Sequence, residues 1–464
     1  MANRCEDDRE LTPGALKPSG AMDWERLEDK AAYRAVVEVR LASAGCDASV
    51  GLKPSGLDIS LSDGQVLHYD LEGRLARVAT PNVQWRRGLS HRTVRLSKRP
   101  RAQGGGLASR VLEREFSDRL VEETHQRVRD VQAGLLAGNG VWRRGSADDE
   151  RLVGELTDLL ARAAGFNARA ARQDLQRFAE LYGEIPILPP DQYGSLVLLA
   201  TEGCVYNQCT FCGFYRDVPY RQKSVDEFRA HVEAAIAYHG AALAARRSVF
   251  LGQANALVGP REWREKILQV LPEHLEFATN DAECRSPRWW LGSPQRMADV
   301  ASFVDAFTGV RITASEYARL RNLHLRRLYL GVESGDEELL AWLKKPASPQ
   351  LLQDAVGAAK QGGLRVGVVI LVGAGGERFF ESHIERTVAL LKTMPLGVGD
   401  YIYLSPLVDM PDTEYVPRSQ AGGVEPLSAE RMREQEQRLR AGFAAAQGGE
   451  RPYVARYDVS HFVY

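Results

Sequence analysis

Three of the six cysteines, Cys204, Cys209 and Cys212, fall in one short segment, GCVYNQCTFCG, at residues 203–213. Their spacing is C-x4-C-x2-C. Thiolates are soft ligands that favour zinc or iron–sulfur clusters. A structural zinc site asks for four protein ligands, and a 4Fe–4S cluster is ordinarily held by four cysteines. No fourth Cys or His stands in the ten residues on either side. A cluster held by these three thiolates would leave one iron open to another ligand. Cys5, Cys46 and Cys284 are scattered and form no disulfide framework or second cluster motif.

The cysteines must be carried by elements that fix them. Ser195–Ala200 (SLVLLA) reads as a buried strand running directly into the cysteine loop. From there strands and helices alternate. Strands are expected at Ser248–Leu251, Leu275–Thr279, Arg327–Val332, Arg365–Val372 and Tyr401–Leu404. Helices are expected from Ser224, with Glu227 completing a capping box, and at Arg261–Val270, Ser315–Leu323, Pro349–Gln361 and Glu381–Leu391. Alternating β and α with apolar strands implies a parallel sheet. Six such units suit a partial (β/α)6 barrel, with the chemistry at the C-terminal strand ends. Residues 282–312 fit no unit of this rhythm. Leu427–Gln447 reads as an amphipathic helix, and RPYVARYDVSHFVY as an aromatic-rich final strand.

Upstream the rhythm differs. Residues 1–22 are polar and read as a disordered tail. Residues 23–102 read as a β-rich domain: Leu57, Ile59 and Leu61 alternate, Asp63-Gly64 marks a turn, and Leu67, Tyr69 and Leu71 alternate again. Its end, Trp85–Arg101, is rich in arginine and reads as a solvated edge and linker, with a nucleic-acid patch as the alternative. Gln103–Gly106 reads as a linker, and residues 103–190 as a helical region with a break at Gly138–Gly145. Residues 191–420 are the expected barrel, and 421–464 a C-terminal helix and strand.

Composition sets bounds on function. The 464 residues are 44% hydrophobic and 26% charged, with a formal net charge of −1. That balance is typical of a soluble globular protein, and a near-neutral total argues against a broadly nucleic-acid-binding or membrane-surface protein. No apolar run reaches spanning length, and the N-terminus lacks the apolar core of a signal peptide. The expected location is the cytoplasm, where thiols stay reduced.

The segment from about 195 to 415 resembles the core of radical S-adenosylmethionine (radical SAM) enzymes, of a branch with a C-x4-C-x2-C loop. Phe211 precedes the last cysteine. Leu251–Asn255 (LGQAN) stands where the family has a Gly-Gly-Glu-like turn, and Gly331–Gly335 (GVESG) is similar to its Gly-x-Glu-Ser-Gly. Val372–Glu377 (VGAGGE) is similar to its Gly-x-Pro-Gly-Glu, and SPL at 405–407 with PDT at 411–413 to its Tyr-Pro-Leu and Pro-Gly-Thr. Two departures stand out: the family's usual spacing is C-x3-C-x2-C, and Gln253 replaces an often acidic residue.

The resemblance implies a 4Fe–4S cluster on Cys204, Cys209 and Cys212, and S-adenosyl-L-methionine on the open iron. Reductive cleavage of that cofactor would give a 5′-deoxyadenosyl radical that abstracts hydrogen from an unknown substrate. It implies cofactor contacts from the backbone around Phe211, from Gly252 and Asn255 near the methionine amino group, from Glu333 and Ser334 near ribose or carboxylate, and from Gly373 near the adenine. It further implies an electron donor such as flavodoxin or ferredoxin. Two alternatives accompany this reading: an RNA-modifying radical SAM enzyme and a non-catalytic iron–sulfur redox sensor. Asn280, Asp281, Cys284 and Arg285 are expected on the rim facing a substrate, and Tyr401 and Tyr403 either in the barrel interior or in core packing.

Overall fold

The computed structural model describes residues 33–41, 47–98, 107–290, 293–308, 311–410, 412–444 and 451–464. The expected tail at 1–22, the linker at 103–106, and Cys5, Cys46, Arg99 and Arg101 lie outside the described residues. Two compact units divide the chain, one through Gln176 and one from Arg177 to Phe462.

The first unit is a nine-stranded sheet with helices on one face. Its elements are β1 (Ala35–Arg40), β2 (Asp47–Lys53), β3 (Gly56–Leu61), β4 (Val66–Tyr69), β5 (Leu75–Ala79), β6 (Val83–Arg87), β7 (Thr93–Lys98), β8 (Leu107–Leu112), α1 (Arg114–Leu136), β9 (Gly140–Arg144) and α2 (Glu150–Gly165). α3 (Ala168–Tyr182) spans the division. The strands run in the order β8 to β1 and then β9, all antiparallel. The alternation of Leu57, Ile59, Leu67 and Tyr69 puts these side chains into one core with Phe116, Leu120 and Val128 of α1 and Leu156 and Leu160 of α2.

Two segments differ from the sequence reading. Residues 107–112 extend the sheet, because pairing with β7 takes them before the helix opens at Arg114. The break at 138–145 is strand β9, flanked by Gly138 and Gly145 at positive φ and laid on the free edge of β1. The arginine-rich stretch does not form one basic surface either. Strand alternation sends Arg86 outward and Arg87 inward, where Nε donates to His91 Nδ1 at 3.0 Å and Nη1 to Leu75 O at 3.1 Å.

The second unit is organised by a parallel sheet. Its strands are β10 (Leu196–Leu199), β11 (Thr201–Glu202), β12 (Arg221–Gln222), β13 (Val249–Gly252), β14 (Glu276–Phe277), β15 (Arg296–Met297), β16 (Val300–Val304), β17 (Leu325–Glu333), β18 (Arg365–Val372), β19 (Tyr401–Pro406) and β20 (Tyr453–Arg456). Its helices are α4 (Val225–His239), α5 (Arg261–His274), α6 (Asp281–Arg285), α7 (Pro287–Trp290), α8 (Ala314–Asn322), α9 (Glu337–Trp342), α10 (Pro349–Gln361), α11 (Phe380–Thr393), α12 (Tyr415–Ala421) and α13 (Ala429–Ala444). The main sheet runs β10-β13-β16-β17-β18-β19-β20, every pair parallel. Ser224 and Glu227 form the expected capping box at α4.

The expected third strand at 275–279 is a correction. Only Glu276–Phe277 is extended, and it pairs with β15 in a separate two-stranded sheet. The place beside β13 goes to β16, from the stretch that fitted no pattern. β16 is only five residues long, and a short apolar run such as VASFV has no periodicity that separates strand from helix. Asn280, Asp281, Cys284 and Arg285 therefore follow β14 and not a strand of the main sheet. Tyr403 packs in the core, its hydroxyl donating to Asp191 Oδ1 at 2.7 Å beside the Tyr329 hydroxyl on Oδ2.

β10 rests on a buried histidine. His231 Nε2 accepts the Leu199 N–H at 3.0 Å, which requires the neutral ring. Burial, with Lys223 assisting, lowers its pKa from 6.5 to about 4. Burial does the same to His383, also down to about 4. Between pH 6.5 and 4 the unfolded chain binds protons that these folded histidines refuse, so stability falls as pH drops through that window. His231 alone accounts for on the order of 3 kcal/mol. We expect the urea midpoint to fall between pH 7 and pH 4, and His231→Gln to flatten that slope in part, with His383, His91 and His324 contributing in the same direction.

Candidate active site

Parallel pairing sends the C-terminal ends of all main-sheet strands to one edge. Leu199 pairs with Gly252, Val304 with Leu330, Glu333 with Ile370, and Val372 with Pro406. The cysteine loop, Asn255, Asp305, Ser334 and Gly373 leave from that edge.

The loop is closed at its base and pinned along its length. β11 and β12 pair across it, with Glu202 opposite Arg221. Arg221 and Lys223 both bind the Glu202 carboxylate, and Arg221 foremost pulls its pKa down to about 2. Gly203 has φ +69°, and a Cβ there would stand 2.5 Å from Val218 O, so only glycine fits. Its N–H donates to Gln253 Oε1 at 2.5 Å, and Gln253 Nε2 donates to Glu184 O at 3.1 Å. The atypical glutamine thus anchors the first residue of the loop. Thr210 is fully buried and its N–H donates to Leu343 O at 2.9 Å. The Tyr206 hydroxyl donates to Lys344 O at 2.6 Å. The thiols are held by the segment that follows α9.

That segment brings a charge. Lys345 Nζ lies 3.0 Å from Glu333 Oε1, with both side chains at most 9% exposed. Burial alone would lower the Lys345 pKa, but the Glu333 and Cys209 charges outweigh it and hold it above the ordinary lysine value. Glu333 ends β17 at φ +59°. Lys345 also sits 5.3 Å from the Phe307 ring. Burial pushes the Cys212 thiol up to about 12 and raises Cys209, on which Lys345 acts in the opposite direction.

The remaining expected residues fall as follows. Phe211 packs on Leu339, Leu343, Leu371, Phe379 and Tyr415. Gly252 ends β13, and a Cβ there would stand 3.1 Å from Leu199 Cδ2. Asn255 donates from Nδ2 to Asp305 Oδ2 at 2.8 Å and accepts the Leu257 N–H at 3.0 Å. Ser334 is fully buried, its hydroxyl engaged with His383 Nδ1 at 2.7 Å and with the Asp336 N–H at 3.0 Å. Gly373, at φ +90°, donates its N–H to Gln435 Oε1 at 2.7 Å. Sequence reasoning missed Lys345, Asp305 and Arg216, and noted Gln253 only as a departure; the charged pair in LKK directly after α9 was the one available signal.

Residues 198–391 match the family model described as the Radical SAM superfamily. This segment belongs to the radical SAM superfamily. Members of the superfamily are enzymes that use a 4Fe–4S cluster and S-adenosylmethionine. No curated protein matches the chain. Among solved structures, it is similar to the radical SAM enzyme coproporphyrinogen III oxidase from Escherichia coli, at 13% identity and a TM-score of 0.38 over 58% of this chain and 56% of that one. It is similar to a radical S-adenosylmethionine methyltransferase from Kitasatospora setae, solved with cobalamin and a [4Fe-4S] cluster, at 16% identity and 0.33 over 48% and 36%. It is also similar to methylornithine synthase, at 14% identity and 0.32 over 62% and 75%. The chain thus spans about half of the oxidase, and these distant likenesses transfer no substrate.

The residues present fit the superfamily's cofactors. The donor set is all sulfur, three thiols on one loop, with a buried ammonium beside them. Among the described residues no three His, Cys, Asp or Glu side chains converge as one metal ion requires. The thiols of a polynuclear cluster stand farther apart than the ligands of one ion.

Breaking the buried pair tests its part in holding the edge. Lys345→Met leaves Glu333 buried without its cation and should cost about 3–5 kcal/mol in urea denaturation. Adding Glu333→Gln should recover most of that loss. Separately, Gly203→Ala should leave most of the fold intact yet lower the iron bound per chain severalfold, measured after anaerobic reconstitution.

Proposed function

We propose that the chain is a radical SAM enzyme that cleaves S-adenosylmethionine reductively at a cluster on Cys204, Cys209 and Cys212, and abstracts hydrogen from a substrate. The observation that carries this reading is the all-thiol loop fixed at the C-terminal edge of a sequentially ordered parallel sheet. That order suits a partial (β/α)6 barrel extended by β20. When bound, the 4Fe–4S cluster supplies the electron that splits the sulfonium cofactor.

The chain's own residues have definable tasks. The loop presents three thiolates and leaves one coordination position open. Lys345 offers a buried positive charge to the carboxylate of the cofactor, with Glu333 within reach of the ribose. Gly252 and Gly373 permit close backbone approach at the ends of β13 and β18. Asn255 and Ser334 have side chains already engaged by Asp305 and His383. Their part is therefore to shape the turns, with backbone groups meeting the ligand. The backbone flanking Phe211 lines the adenine side. The electron donor is proposed to be a flavodoxin or ferredoxin.

Anaerobic reconstitution with iron and sulfide, reduction, and addition of S-adenosylmethionine should yield 5′-deoxyadenosine. Cys204→Ala should abolish it and cut bound iron by at least fivefold. Equal product from wild type and Cys204→Ala would refute the reading.

A further inference from the structure

The cysteine loop carries one residue more than the common three-residue gap, and the structure shows how the longer gap is held. Asn207 adopts φ +47°, a left-handed conformation that asparagine tolerates better than most residues. Its side chain donates from Nδ2 to Tyr215 O at 2.7 Å, and its N–H reaches Cys204 Sγ at 3.4 Å. The added turn leaves backbone carbonyls facing the inside of the loop, where each needs a donor.

One side chain supplies three of these donors, and the Cys212 N–H adds another to Cys209 O at 3.2 Å. Arg216 donates from Nε to Cys212 O at 3.1 Å, from Nη1 to Asn207 O, and from Nη2 to Cys209 O. The three carbonyls belong to two of the cysteines and to Asn207 within the gap. A guanidinium suits this task because its donors form a rigid planar fork; an ammonium cannot reach three fixed acceptors in the same way. No carboxylate forms an ion pair with Arg216 among the described residues. Its charge acts on the Cys209 thiol and on the Glu414 carboxylate, which itself pairs with Lys344.

We propose that Arg216 is a positioning residue for the metal centre, a strap that holds the lengthened loop in its cluster-binding shape and a cation without a direct ion-pair partner among the described residues that eases reduction of the cluster. The inference rests on the cluster reading given above. A cluster on three thiolates carries net negative charge that grows by one on reduction. A fixed positive charge beside it favours the reduced form and raises the potential, as charge and hydrogen bonding around a cluster do generally. The chemistry separates the two roles. Arg216→Lys keeps the charge and loses the fork, whereas Arg216→Gln loses both.

Wild type, Arg216→Lys and Arg216→Gln are reconstituted anaerobically with iron and sulfide. Iron and sulfide per chain, the rate of cluster loss to a chelator, and the potential by redox titration are then measured. Both variants should lose the cluster at least threefold faster than wild type. Arg216→Gln should titrate at a more negative potential, and Arg216→Lys at the wild-type potential. A wild-type rate of loss in Arg216→Lys overturns the strap, and an unchanged potential in Arg216→Gln overturns the electrostatic role. If circular dichroism shows that Arg216→Gln does not fold, the chelation rate of Arg216→Lys decides. Wild type that holds no four-iron cluster would count against the cluster reading itself. A stable wild-type cluster that both variants hold equally well would count against Arg216 alone.

Discussion

A parallel sheet permits only one direction of exit, and that constraint gathers the site. Each strand of the main sheet must finish at the same edge, so loops far apart in sequence become neighbours there. The cysteine loop, the turn after β13, Asp305 after β16, Glu333 at the end of β17 and Gly373 after β18 meet for this reason. An antiparallel arrangement of the same strands would scatter them to opposite ends. Burial of β10 and β13 on both faces fixes the edge in place, because a register slip would carry apolar residues out of the core.

Within that edge, the polar groups hold the loop more than they project from it. Gln253 holds Gly203, Leu343 holds Thr210, Lys344 holds Tyr206, and Arg216 holds three loop carbonyls. A loop without regular secondary structure has many backbone groups to satisfy. Here those groups are used to fix where the sulfur atoms stand. The buried pair of Lys345 and Glu333 has a different character. An ion pair removed from water seldom adds stability over an apolar pair of similar size. Its presence beside the thiols is better understood as preorganised charge for a polar ligand.

The first unit has its own logic. Its sheet is apolar toward α1 and α2 and carries a polar cluster on the other face. There Asp58 receives the Tyr33 hydroxyl, with Lys53 and His68 beside it. Burial would raise the Asp58 carboxyl, but hydrogen bonds from His68, Lys53 and Tyr33 hold it well below the usual carboxylate range. The cost of burying a polar side chain is met locally, as a well-folded sheet requires.

The division between sequence and structure follows from the range of the forces involved. Chemistry set by neighbours in sequence was legible: three thiols in one loop, strand periodicity around Leu198, Leu330 and Val368, the Ser224 cap, and glycines where φ is positive. Interactions between distant segments were not. β16 is a strand because β13 and β17 pair with it, and its own residues barely announce it. β8 and β9 are strands because open sheet edges were available. Ser334 and Asn255 carry polar groups that a motif assigns to a ligand, yet His383 and Asp305, brought in by folding, engage them first. The sequence by itself determined that three thiols would stand together at the end of a strand in an α/β chain. Only the tertiary structure decided that Lys345, Gln253 and Arg216 surround them, because hydrogen bonds and buried charges act over a few ångströms in space and leave no period along the chain.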